Sequence, residues 1–235
     1  MQTPFAKKRK SQAGVTLVEL LIAMVILGIL STMLVGVWIA LQRAFAFAQQ
    51  TETAQATGRG ALDRISAEIR DAQPPNSTIT TPFFLTLASP YKCDANDCVF
   101  YSAYNNANAA LQSGSGGTSQ LRLTAIWLDT SGATAEKNLY WQRDTNNDGQ
   151  FGAGDTKTLL ASNIVNTASG ISKAIFTYVL RDTSGNYSNV TSLTSSNVGT
   201  VVAVNIELVV DCNLNHTPTY VDLVSTVRPR NVGQN

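Results

Sequence analysis

Gly14-Val15-Thr16-Leu17-Val18-Glu19-Leu20-Leu21 opens an apolar run that continues to Leu41, and the reading of the whole chain turns on it. Glu19 is the only charge between Val15 and Leu41. At about 1.5 Å per helical residue the segment spans roughly 30 Å, the thickness of a bilayer's hydrocarbon core. Lys7-Lys8-Arg9-Lys10 lies just ahead of it, and such a cluster stays on the cytoplasmic side of a membrane. The expectation is one membrane pass with the bulk of the chain outside the cytoplasm.

The details differ from a secretory signal. That signal has an apolar core of about 7–15 residues followed by a small-residue cleavage site. Here the apolar run is longer, and the small residue, Gly14, precedes it. An unpaired carboxylate in lipid costs a few kcal/mol, so Glu19 requires a partner. A basic leader, a glycine, then Val15-Thr16-Leu17-Val18-Glu19 and a long apolar helix resembles the type IV prepilin signal. The resemblance implies that a prepilin peptidase cuts after Gly14 and that Val15 becomes the N-methylated terminus. It also makes Glu19 the fifth-position carboxylate, which pairs with a neighbouring subunit's terminal amine as helices bundle. Val15 stands where the family more often has phenylalanine; the glycine sets the cut, so methylation is expected to be little affected.

Composition fits one membrane helix plus one globular domain: 235 residues, 44% hydrophobic and 14% charged. The leader holds four of the 17 Lys/Arg and none of the 16 Asp/Glu, so the mature chain counts 13 basic against 16 acidic, a net of −3. A mildly acidic mature chain lacks the electrostatic footprint of a nucleic-acid binder. Three cysteines and one histidine leave little material for a catalytic centre, and no enzyme activity or small-molecule substrate is expected.

In chain order, residues 1–14 read as leader and 15–41 as a transmembrane or filament-core helix. Gly28 and Gly36 are small positions where neighbouring helices could approach. Past Leu41 polar residues enter while helix formers continue, and residues 42–73 read as the amphipathic continuation of that helix. Leu62, Ile65 and Ile69 recur at helical spacing, with Asp63, Arg64, Glu68, Arg70 and Asp71 assigned to the opposite side. Gly58 and Gly60 each cost about 1 kcal/mol in a helix interior, which predicts a bend or melted turn. Pro74-Pro75 ends the helix.

Residues 76–235 read as a β-rich domain. Strands are predicted near Phe83–Ala88, Val99–Tyr104, Leu121–Leu128, Asn138–Arg143, Thr156–Leu160, Lys173–Arg181, Thr200–Val210 and Tyr220–Val227. Residues 105–120 read as a surface loop, and the Gly114/Gly116 pair has no strand-to-helix context for a nucleotide site. The fold class is α+β: a long N-terminal helix, transmembrane then amphipathic, packed on an antiparallel sheet, pilin-like. Arg64–Arg70 and the tail Leu223–Asn231 resemble the larger minor pilins of the PilW type, and the J-type minor pseudopilin of type II secretion is also similar.

Asp144-Thr145-Asn146-Asn147-Asp148-Gly149-Gln150-Phe151-Gly152-Ala153-Gly154-Asp155 places oxygen side chains at loop positions 1, 3, 5 and 12, with glycine at 6. That is the spacing of a twelve-residue Ca²⁺ loop ending in Asp in place of Glu. Gln150 would give a backbone carbonyl, completing oxygen ligands at about 2.3–2.6 Å. The flanks read as strands, so the loop would join a hairpin; the alternative is an Asn/Asp/Gly turn that binds nothing. Cys93 and Cys98 flank Asp94–Asp97, which favours a local disulfide in an oxidising compartment. A zinc site from Cys93, Cys98, Cys212 and His216 is another arrangement these spacings permit, and pairings that include Cys212 or a reduced state are the remaining ones.

The function expected is that of a minor pilin that primes, or sits near the tip of, a type IV pilus. Its partners would be other minor and major pilins, the prepilin peptidase and an inner-membrane assembly platform. A minor pseudopilin of type II secretion is the alternative within the class, and a tip adhesin or DNA-uptake pilin the alternative outside it. Location would be the inner membrane, single-pass, with the C-terminal domain in the periplasm.

Overall fold

A computed structural model describes residues 14–75, 80–85, 91–103, 121–131, 137–146, 148–167, 170–212 and 220–230. The chain divides into two compact units, one ending at Ala48 and the other beginning at Gln49. In the first unit the helix α1 (Leu17–Arg70) begins; its side chains from Leu17 to Phe47 stand exposed, Leu17 at 80% and Leu34 at 71%. Among the described residues α1 is the one helix long and apolar enough to cross a membrane. The hydroxyls of Ser31 and Thr32 donate to the carbonyls of Leu27 and Ile29, which satisfies them inside an apolar segment.

In the second unit the last turns of α1 pack on an eight-stranded antiparallel sheet. Its strands are β1 (Asp97–Ser102), β2 (Arg122–Asp129), β3 (Lys137–Arg143), β4 (Thr156–Ile164), β5 (Phe176–Arg181), β6 (Tyr187–Val190), β7 (Val201–Asp211) and β8 (Tyr220–Val227). The spatial order is β1-β2-β3-β4-β7-β5-β6, and β8 pairs with β7. Ile65 and Ile69, fully buried, meet a core of Phe100, Leu123, Ile126, Leu139, Phe176, Tyr178 and Ile206. The fold is the expected α+β, pilin-like one.

Four details differ from the sequence reading. The helix runs without a melted turn through Gly58 and Gly60. A Cβ on Gly58 would collide with Leu223 Cδ1 and come within 3.3 Å of Val210 Cγ2, so glycine is what lets β7 and β8 approach the helix. Glu68, assigned to the polar side, is fully buried, because it lies three residues beyond Ile65 on the sheet-facing side. Among the described residues 80–85 there is no strand. Phe84 donates to the carbonyl of Val99, and the N–H of Tyr101 donates to the carbonyl of Pro82, each at 2.9 Å; Pro82 itself has no N–H to extend the ladder.

β6 was not predicted. It follows a turn in which the Asp182 carboxylate accepts the N–H of Asn186 and Gly185 takes φ +87°. Tyr187-Ser188-Asn189-Val190 is short and exposed, and carries no period-2 burial to read.

Candidate functional site

The N-terminal motif is built from the first turn of α1. Thr16 caps it: the N–H of Glu19 donates to Thr16 Oγ1 at 3.3 Å, and the N–H of Leu20 reaches Thr16 O at 3.2 Å. Thr16-x-x-Glu19 is thus the sequence pattern of a capping box, a signal the sequence reading passed over. The cap fixes the helix start two residues after Val15, so the new terminus left by a cut after Gly14 would sit one helical turn from Glu19. A carboxylate in the first turn also faces the positive end of the helix dipole. Gly14 has no atoms within 4 Å of where a side chain would begin, and Gly28 and Gly36 are equally open.

Residues 9–35 match the model of the prokaryotic N-terminal methylation motif. Its N-terminus is that of a type IV prepilin-like protein. No curated protein matches the chain. A prepilin-like chain of this kind associates with pilus or pseudopilus components and is processed by a prepilin peptidase, and its single apolar N-terminal helix fits single-pass membrane anchoring.

The second unit, from Gln49 onward, holds the other predicted sites. In the 144–155 loop Asp144 is 1% exposed and its Oδ2 accepts the N–H of Gly149 at 2.8 Å. Gly149 takes φ +79°, the left-handed turn that position 6 demands. Asp155 accepts the N–H groups of Thr145 and Gly152, Asn146 Oδ1 accepts that of Asp148, and Asp148 Oδ1 that of Gln150. The donors are all oxygen, which suits a hard cation. Among the described residues, however, no group of three or more His, Cys, Asp or Glu side chains converges as a metal site. The carboxylates are turned onto the loop's own N–H groups. Asn147 lies outside the described residues.

Cys93, Cys98 and Cys212 stand as buried thiols in this structure. Cys93 Sγ donates to Val99 O at 3.2 Å and accepts the Val99 N–H at 3.4 Å, so the turn closes by hydrogen bonds. Burial holds the Cys98 thiol well above the usual range, with Cys93 beside it adding to the rise. No zinc group forms among the described residues; His216 lies outside them, as does the 105–120 loop.

Two features of the domain were missed by sequence reasoning. Glu68 Oε2 accepts from Ser102 Oγ at 2.9 Å and meets Arg143 Nη2 at 2.8 Å, while Oε1 faces Arg64 Nη2 at 3.0 Å. Both guanidinium groups stack near the Trp141 ring, at 4.9 and 5.0 Å. Asp97, 7% exposed, is pushed up to about 7 by burial and by Asp94, against the N–H of Leu128 and Lys92. Neither has a periodic or motif signature; their partners come from distant strands.

Proposed function

We propose that this chain is a minor pilin, a structural subunit that primes or sits near the tip of a type IV pilus. What supports the reading is one juxtaposition: the methylation motif runs directly into a capped, exposed apolar helix whose first turn carries Glu19. Cleavage after Gly14 frees the Val15 amine for methylation. Glu19 neutralises the amine of a neighbour, which removes the cost of an unpaired carboxylate in lipid and sets the axial step between subunits. The domain from Gln49 onward lies in the periplasm, and the chain acts by association, without catalysis. A minor pseudopilin of type II secretion would use the same motif. The two are separated by which filament subunits co-purify with the processed chain. Glu19→Ala tests the mechanism: membrane insertion and cleavage persist, and incorporation into filaments falls. Normal incorporation of the alanine variant would remove the pairing role.

We propose further that the 144–155 loop takes Ca²⁺, with Asp144, Asn146, Asp148 and Asp155 giving side-chain oxygens and Gln150 its carbonyl. The position-6 turn at Gly149 supports this. Binding would require the carboxylates to turn from the N–H groups they now accept.

A further inference from the structure

We propose that the free edge of β8 is a strand-addition site, which takes an extended segment of a neighbouring pilin-like subunit into the sheet through main-chain hydrogen bonds. The proposal rests on the filament-subunit reading above. All eight residues of β8 pair with β7, from Val227 opposite Val204 to Tyr220 opposite Asp211, without a register shift. In an antiparallel strand about half of the N–H and C=O groups point away from the partner. Among the described residues none of these outward groups of β8 has a backbone partner.

The other edges are blunted. β1 is covered by backbone bonds to Phe84, Pro82 and Gln73. β4 carries Lys157, shifts register against β3, and is turned at Asn163 by φ +61°. β6 is four residues long. A lysine, an irregular register and shortness are the usual guards against edge pairing, and β8 has none of them. Its sequence is Tyr220-Val221-Asp222-Leu223-Val224-Ser225-Thr226-Val227, with one charge and no proline. That charge, Asp222, is held by Lys173, which also meets Glu207 on β7. Val224 stands 65% exposed beside it.

The chemistry names the occupant. An incoming strand must supply main-chain donors and acceptors, with small uncharged side chains beside Val224 and Thr226. It is a segment other than β8, because β8 paired with β8 of a second copy would make a closed pair, whereas a filament grows by heterologous contacts.

The test places a photo-crosslinking benzoylphenylalanine at Thr226 in the full chain, in its own cells, and maps adducts by mass spectrometry. The expected result is an adduct to an extended segment of a subunit that carries its own methylation motif. A second substitution, Val224→Lys, places a guard on the edge and lowers that adduct by about five-fold or more, with melting temperature and processing unchanged. Processed chain with no adduct, an adduct to β8 of a second copy, or an adduct indifferent to Val224→Lys would overturn the proposal. Uncut chain, visible by mass in the same samples, would instead overturn the subunit reading on which it rests.

Discussion

Glu68 Oε2 on α1 lies 2.8 Å from Arg143 Nη2 on β3, and the same oxygen accepts from Ser102 on β1, so one fully buried carboxylate ties the helix to two strands. Burial raises its pKa, and Arg143 is the first of the groups that hold it down. Removing one partner strands the other charge out of water, which costs about 3–5 kcal/mol in buried pairs. Arg143→Ala should therefore lower the unfolding free energy of detergent-solubilised protein by about that much. Glu68→Gln, which removes the charge and keeps hydrogen-bonding capacity, should cost less than half of it. Equal, small effects from both variants in denaturant titration would contradict the ion-pair account.

Gly58 and Gly60 should respond oppositely to alanine. At Gly58 the new methyl meets Leu223 and Val210, and overpacking of this kind costs about 1–3 kcal/mol. At Gly60 there is open space and a helical backbone, so alanine should stabilise by up to about 1 kcal/mol. Thermal melts of the two variants check the contrast.

Asp97 should make stability fall as pH rises. Its folded pKa, about 7, exceeds the ordinary 3.8, so folding favours the protonated form. The stabilisation is complete below 3.8 and is lost as pH climbs through about 7. Asp97→Asn should flatten the melting temperature across that window, while the parent chain loses a few kcal/mol there. A parent curve that rises over the same range would contradict this.

For the 144–155 loop the relevant quantity is the difference between calcium and chelator. The parent chain should melt several degrees higher in calcium, and Asp144→Ala or Asp148→Ala should abolish the difference. Asp144→Ala also removes the cap on Gly149, so it should melt lower in both media. A parent chain that melts identically with and without chelator would dispose of the site.

What the sequence made legible was whatever repeats or runs. The uninterrupted apolar stretch to Leu41, the spacing of Leu62, Ile65 and Ile69, and the apolar, β-branched runs of β2, β3, β7 and β8 are local patterns, and each has its counterpart in the structure. The motif at Gly14, Val15 and Glu19 is local too. What escaped depends on distant partners. Glu68 looks like any surface glutamate until Arg143 and Ser102 arrive from other strands. Gly58 looks like a helix breaker until Leu223 packs against it. β6 carries too few apolar residues for alternation to be seen at all.

The central claim is that this chain enters a filament pathway through its N-terminus, and intact mass tests it most directly. The protein is recovered from cells with and without their prepilin peptidase. The account predicts loss of residues 1–14 and one added methyl on Val15 only where the peptidase is present. An uncut mass in both strains would reduce the segment to a membrane anchor and contradict the account.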